Sequence, residues 1–355
     1  MIEIKSRLNN YFVNFGKTKE FLLEIDKKYT NFFYVIDKNV WDIYNKSSLI
    51  SLKDKEIMIL EIDEERKNLN VVQEVYDSLI ECSSKRNTTM VSIGGGIIQD
   101  ITGFAASTIY RGIKWIFIPT TLLAQADSCI GAKTSLNYKG FKNLIGTFFP
   151  PKEIYIDTDF IISQKDVDFF SGLGEIVKLH IMDGENSTQK IIELLPELLN
   201  KDTKFLMESI KKSLLIKKGY IEEDEFDTGR RNLLNFGHCF GHALESTSNF
   251  EIPHGQAVII GIIFANIVAK KRGLLSESIE QYIFQKLLLP LLVVKLQKQY
   301  FDVEKVVSVM KKDKKRIGEN MALIMLINDW KTIRVNDLKI NEIESALNVL
   351  EHMLI

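Results

Sequence analysis

The sequence predicts two unlike domains: an α/β domain with a parallel-rich sheet over residues 1–160, and an all-α domain over residues 161–355. Three observations predict this. The chain has 355 residues, more than a single hydrophobic core usually spans. Up to about Phe160, short β-branched or aromatic runs alternate with helical periodicity, the pattern of a parallel sheet with flanking helices. Beyond Phe160 strand-like runs largely vanish, and long amphipathic stretches follow with only Pro196, Pro253 and Pro290 to interrupt them.

In chain order, strands are expected at FFYVID (Phe32–Asp37), EIMIL (Glu56–Leu60), MVSIGGG (Met90–Gly96), KWIFIPT (Lys114–Thr120) and EIYID (Glu153–Asp157). Helix-like segments such as LNVVQEVYDSLIECSSK lie between them. The second domain is expected to be built from TKFLMESIKKSLLIKKGYIEED, NLLNFGHCFGHALES, AVIIGIIFANIVA and VEKVVSVMKKDKK. The third of these, Ala257–Ala269, is too short to span a bilayer and contains Asn266, so it reads as a buried helix. With no repeat and no low-complexity linker, the two halves are expected to pack closely and share a cleft.

Composition narrows the class. A 45% hydrophobic, 26% charged chain with net charge -1 reads as a globular protein with neither a nucleic-acid nor a membrane partner. Cys82, Cys129 and Cys239 are too few and scattered for a disulfide framework, and the early charges of MIEIKSRLNNYF leave no apolar signal core. A cytoplasmic location is the expectation.

Three of the five histidines, His238, His242 and His254, fall within RNLLNFGHCFGHALESTSNFEIPHG. Neutral imidazoles are common ligands of divalent zinc, and a catalytic site typically takes three protein ligands. His238 and His242 share a face if helical, and His254 follows a loop and opens another apolar helix. Singly each could be a core or capping residue; the cluster favours metal. Glu175 in SGLGEIVK follows small residues, is expected to open an apolar helix, and is the best carboxylate to complete the set.

VSIGGGIIQD sets Gly94, Gly95 and Gly96 directly after an apolar strand, where a backbone can approach a phosphate and a helix start supplies N–H donors, although a tight turn explains such a triplet as well. Thr120 and Thr121 fall at the carboxyl end of the next strand, and Asp37 ends the first, a suitable acceptor for ribose hydroxyls. Cations then gather in turns and polar stretches: Arg111, Lys133, Lys142 beside Asn143, Lys178, Lys217, Arg231, Lys314 and Lys315. Taken alone, Lys217, Lys314 and Lys315 read as solvated surface charges. Lys133, in a Gly/Ala/Thr context, does not.

The blocks GGGIIQDITGFAAS, YRGIKWIFIPTTLLAQADSCIGAKTSLNYKGFKNLIGTFFPP, SGLGEIVK, RRNLLNFGHCFGHALE and PHGQAVIIG, in this order, resemble the 3-dehydroquinate synthase family of the sugar phosphate cyclase superfamily, nearly end to end. The resemblance implies a Rossmann-like first domain, and a divalent metal, zinc foremost and cobalt next, held by Glu175, His238 and His254. His242 would stand near the substrate phosphate. The NAD site would use Asp37, Glu64 and Lys67 on the adenosine side, Gly94, Gly95, Gly96 and Asp100 at the pyrophosphate, and Thr120, Thr121 and Asp127 beyond, with Ser163 nearby and Lys133 and Lys142 bordering it. Lys133, Lys142, Asn143, Lys178, Lys217, Arg231, Asn235 and Lys314 or Lys315 would meet the substrate. Arg111 would reach the phosphate of a neighbouring subunit, implying a homodimer.

The implied reaction is redox-neutral: transient oxidation by NAD, phosphate elimination, re-reduction and intramolecular aldol closure. Lys133, Lys217, Arg231 and Asn235 match the branch whose substrate carries a carboxylate, which implies 3-deoxy-D-arabino-heptulosonate 7-phosphate and the shikimate pathway. Departures from the family pattern are Cys239 for Thr, Cys129 for Ser, Ser163-Gln164 for Thr-Leu, Lys165-Asp166-Val167-Asp168 for Pro-x-Arg-Glu, and no Gly-Leu-Pro within Leu287–Gln297. They leave open a divergent paralogue making another carbocycle, such as an amino-dehydroquinate synthase. A metal-dependent NAD polyol dehydrogenase needs no such cluster of phosphate-holding cations, and a non-catalytic binding protein needs no complete ligand set.

Overall fold

The computed structural model describes residues 1–311 and 321–355. They form two compact units: residues 1–164 with 221–226, and residues 165–220 with 227–355.

The first unit is built on β1 (Ile2–Ile4), β2 (Tyr11–Phe15), β3 (Phe32–Asp37), β4 (Ile57–Leu60), β5 (Thr89–Gly94), β6 (Trp115–Pro119), β7 (Lys133–Tyr138), β8 (Phe141–Phe148) and β9 (Glu153–Ile156). Its helices are α1 (Thr18–Lys28), α2 (Lys38–Tyr44), α3 (Leu69–Glu81), α4 (Gly96–Thr108) and the short α5 (Asp159–Ile162). Seven strands make one sheet in the order β1-β2-β9-β6-β5-β3-β4, parallel except for β1 against β2. Every residue of β5, β6 and β9 is buried, as expected of parallel strands covered on both faces. Phe21, Ile36, Val91, Ile116, Tyr155 and Phe160 belong to a core cluster of this unit. Asn68 caps α3 by accepting from the Asn70 and Val71 amides, and Val71, Val72, Val75 and Leu79 then bury one face.

All five expected strands are present, within a residue or two of their expected ends. The expectation omitted β1 and β2, and also the hairpin β7–β8, whose turn uses Lys139 (φ 49°) and Gly140 (φ 78°). Two consecutive left-handed residues make the tight turn that suits a twisted hairpin.

The second unit contains α6 (Asp166–Met182), α7 (Glu185–Leu199), α8 (Thr203–Glu223, whose last residues belong to the first unit), α9 (His238–Thr247), α10 (His254–Lys271), α11 (Glu277–Ile283), α12 (Val303–Lys311), β10 (Met321–Leu326), β11 (Thr332–Leu338) and α13 (Ile340–Leu354). It is mostly helical, with one addition to the expectation, the antiparallel pair β10–β11. Residues 255–269 of α10 are all buried, so this mostly apolar helix is covered on every side within its unit. No helix among the described residues is long and apolar enough to cross a membrane.

Glycines let neighbouring helices touch α10 backbone to backbone. A Cβ on Gly255 would lie 1.8 Å from Ser171 O, and one on Gly174 would lie 2.4 Å from Gly255 O, so α6 and α10 cross there with no side chain between them. On the other side, Gly237 (φ 79°) precedes α9, and a Cβ on Gly261 would lie 1.8 Å from Gly237 O. Two details differ from expectation. Glu175 sits in the middle of α6, because the apolar run begins a full two turns earlier. Residues Arg230–Asn235 form a 3₁₀ turn, with Gly237 in a left-handed conformation ending the segment before α9 starts at His238.

Candidate active site

In the first unit, the sheet order reverses between β3 and β5, because the chain leaves β3 outward to β4 and leaves β5 the other way to β6. Ligands of open parallel sheets bind outside the carboxyl ends of the strands at such a point. Asp37 and Gly94 end these two strands side by side, and a Cβ on Gly94 would lie 3.1 Å from the Asp37 Cβ. Gly95 then caps α4, which begins at Gly96 with its first amides directed out of the sheet edge. Thr120 and Thr121 follow β6, and the Thr120 amide donates to Gly94 O at 2.9 Å. A Cβ on Gly95 would lie 3.0 Å from Thr121 Cγ2, so the bare glycine keeps this edge open.

The polar groups around this edge are largely bonded to one another. Asp37 accepts from the Asn39 and Val40 amides as the cap of α2, and burial pushes its carboxyl up against those bonds. Buried Lys67 lies 2.5 Å from Asp100 Oδ2 and donates to Asn143 Oδ1 at 2.7 Å. The Ser135 amide donates to Asp100 Oδ1, its hydroxyl lies within hydrogen-bond distance of both Asp100 Oδ2 and Asn143 Oδ1, and Asn137 donates to Glu64 Oε1. Burial raises the Asp100 carboxyl, while the Lys67 charge pulls it down. Lys67, Asp100 and Asn143 therefore form one network that ties α4 to the β7–β8 hairpin. Asp127 lies in the turn after β6 and Ser163 accepts from the Tyr44 hydroxyl. The departure Gln164 has a local use: its side-chain oxygen accepts from the Leu122 amide.

Lys133, at the start of β7, is exposed, unlike the enclosed charge its small neighbours suggested; Lys142 on β8 is half-buried. Arg111 is exposed in a turn where Tyr110 (φ 51°), Arg111 (φ 65°) and Gly112 (φ 111°) are all left-handed. Two non-glycine residues held there in succession store strain of about 1–3 kcal/mol each, which places Arg111 on a prominent, defined turn.

In the second unit, the helix crossings at Gly255 and Gly237 bring Glu175 of α6, His238 of α9 and His254 of α10 together. Their ligand atoms lie within 4.8 Å of one another. His238 Nε2 and His254 Nε2 each lie 3.4 Å from Glu175 Oε1. The Glu175 carboxylate is 1% exposed, and among the described residues neither oxygen accepts a well-aligned hydrogen bond, although Lys178 forms an ion pair with Oε2 at 2.5 Å. Burial raises the Glu175 carboxyl, but Lys178, His238 and His254 together hold it well below the usual range. Burial and the Lys178 charge push the His238 imidazole well below its usual range. Burial opposes a charged His254, yet the facing Glu175 and Glu245 carboxylates raise it to about 10. A buried carboxylate with unsatisfied oxygens, facing two imidazole nitrogens, suits a divalent cation.

The second nitrogens are also directed. His238 Nδ1 faces Phe236 O at 3.1 Å, and His254 Nδ1 faces Glu245 Oε2 at 3.4 Å, contacts that leave both Nε2 atoms for a metal. Glu245 was missed in the sequence, although it stands three residues after His242 on α9 and is 7% exposed. The exposed His242 ring lies 5.4 Å from that of His238 and 5.8 Å from that of His254.

Lys178, Lys217 and Arg231 are 2%, 8% and 4% exposed, so Lys217 is no surface charge. Buried cations are retained where they are paired or meet anions. Asn235 is half-buried and donates to Asn232 O at 2.8 Å. Lys314 and Lys315 lie outside the described residues.

The families described as 3-dehydroquinate synthase N-terminal and C-terminal match residues 57–171 and 172–316. A 3-dehydroquinate synthase of Dictyoglomus thermophilum is 33% identical over 98% of this chain and 96% of its own length. One of Clostridium tetani is 42% identical over 67% of this chain, an alignment spanning 64% of that protein. Among solved structures, 2-epi-5-epi-valiolone synthase of Streptomyces hygroscopicus subsp. jinggangensis, with NAD+ and Zn2+ bound, matches with a TM-score of 0.87 and 23% identity over 99% of both chains, a likeness of fold. The polyol dehydrogenase and divergent paralogue readings are not favoured by these relatives.

Proposed function

The chain belongs to the 3-dehydroquinate synthase family, and from that premise we propose that it converts 3-deoxy-D-arabino-heptulosonate 7-phosphate to 3-dehydroquinate and phosphate, as a carbon–oxygen lyase of the cytoplasm. The observation that carries the reading is the junction of Glu175, His238 and His254, a complete ligand set inside a chain with this ancestry. These three residues would hold the divalent ion, and zinc is favoured because the valiolone synthase binds it beside NAD+. When bound, the ion would supply Lewis acidity and NAD a reversible hydride acceptor.

The protein's own groups do the rest. In the first unit, Gly94, Gly95, Gly96 and the start of α4 would receive the pyrophosphate, with Asp37, Glu64 and Lys67 on the adenosine side. Thr120, Thr121, Asp127, Asp100 and Ser163 would border the cofactor. Lys133, Lys142 and Asn143 are assigned to the substrate. In the second unit, Lys178, Lys217 and Arg231 would hold the anionic substrate where little solvent competes, each charge-assisted contact contributing roughly 1.5–3 kcal/mol. Asn235 would donate to the phosphoryl group, and the exposed ring of His242 would bond it and accept or return a proton as phosphate leaves. We assign the strained turn at Arg111 to the phosphate of a partner subunit, which makes the working form a homodimer.

The test is release of phosphate from the heptulosonate phosphate by metal-loaded protein with catalytic NAD. The expected outcome is one phosphate per substrate consumed, no net NADH, and a carbocyclic product by mass spectrometry. Absence of phosphate release, or steady NADH accumulation with a simple polyol, overturns the proposal.

A further inference from the structure

The β10–β11 hairpin carries none of the substrate groups assigned above, yet it forms one wall of a recess in the second unit. The opposite wall holds Asn235, His238 and His242, and Arg334 of β11 lines the same recess. Its cross-strand neighbour Ile324 also lines it and is 3% exposed, so the guanidinium stands against an apolar wall. Arg334 Nη1 reaches Asn232 Oδ1 at 3.5 Å, and Asn232 in turn accepts from Asn235 through its carbonyl. Asn232 thus links the guanidinium to the very turn that presents Asn235.

We propose that Arg334 is a further anion-binding and specificity-determining residue, which engages the phosphoryl group of a sugar phosphate together with Asn235 and His242. Of the described side chains lining the recess, Arg334 alone carries a permanent charge; the other described ones are amides, imidazoles, a thiol and apolar groups. A planar guanidinium offers five donors in a fork that matches phosphate oxygens, and a poorly solvated wall strengthens that contact. Recognition of the phosphorylated end therefore uses a residue from the hairpin as well as from the helices.

The inference rests on the proposed activity, and the experiment separates the two. Holoenzyme carrying Arg334→Gln or Arg334→Lys is compared with the unsubstituted holoenzyme in phosphate release and in inhibition by inorganic phosphate. With Gln, KM and the inhibition constant for phosphate should both rise roughly 10- to 100-fold, while kcat changes by less than about threefold. Lys, which keeps the charge but not the fork, should recover part of both. Values within about twofold of the unsubstituted enzyme for both variants overturn the role of Arg334, whatever their melting temperatures. Should the Gln variant not fold, the Lys variant decides: weaker phosphate inhibition supports the proposal and unchanged inhibition refutes it. If the unsubstituted enzyme itself releases no phosphate, the activity fails instead, and phosphate protection of Arg334 from phenylglyoxal still reports anion binding; no protection refutes it.

Discussion

The carboxyl edge of the sheet in the first unit and the helix junction in the second are both dense in polar groups, but their balance differs. At the sheet edge, Lys67, Asp100, Ser135 and Asn143 are bonded to one another, and Asp37 caps its own helix. The glycines beside them contribute bare backbone. At the junction, Glu175 is buried with oxygens that no described donor satisfies well, and each imidazole directs one nitrogen at it. A phosphate-binding edge can be complete before its ligand arrives, since amides and a helix start suffice. A metal site must be left incomplete, with protein groups that repel one another or stay unsatisfied until the cation binds.

The largest effect should come from breaking the junction. Glu175→Gln or His254→Ala should abolish turnover and lower metal content, as read by elemental analysis beside phosphate release. Full metal and full activity in either variant would remove the distinction between the two regions. Gly255→Ala should have nearly the same outcome without touching a ligand, because its Cβ would meet Ser171 O at 1.8 Å and force α10 away from α6. A normal metal stoichiometry there would show that the crossing does not position His254.

At the sheet edge the expected loss is in stability. Lys67→Met leaves the half-buried Asp100 without its ion-pair partner and should cost up to about 3–5 kcal/mol in denaturant unfolding, with the double variant Lys67→Met/Asp100→Asn recovering much of it. If the single variant is neutral, the network is decoration.

His180 supplies a control from the same helix as Glu175. It is 2% exposed, its Nδ1 meets Ser187 Oγ at 3.0 Å, and burial pushes it down to about 4 from 6.5. Between those values the unfolded chain takes up a proton that the folded chain refuses. The stabilising contribution is therefore complete above about pH 6.5 and is lost as pH falls toward 4, amounting to about 3 kcal/mol. His180→Gln should flatten that part of the stability profile; an unchanged slope would show that burial alone does not keep this imidazole neutral. The smallest effect is expected at Glu245, which orients His254: Glu245→Gln should weaken metal affinity about 10- to 100-fold in a chelator competition. No change would leave the second nitrogen of His254 without a role.

Much of this was legible in the sequence because it follows from local pattern. Runs with apolar, β-branched or aromatic interiors, such as FFYVID and KWIFIPT, could hardly be anything but covered parallel strands, and His254 after Pro253 marked the start of α10. The β10–β11 hairpin was not legible for the opposite reason. MALIML is rich in good helix formers, and its pairing with β11 depends on a turn at Trp330 (φ 57°) that no glycine announces. Lys217 read as surface because its helix is full of lysines, and only packing shows which one is enclosed. Glu245 was hidden because its role depends on a helix crossing, which residue spacing does not encode.

The most direct measurement is X-ray absorption and electronic spectroscopy of the cobalt-substituted protein. The account predicts one tightly bound ion with two imidazoles and a carboxylate among its ligands, and loss of one imidazole in His238→Ala and in His254→Ala but not in His242→Ala. An ion whose imidazole count is unchanged in both the His238 and His254 variants would contradict it.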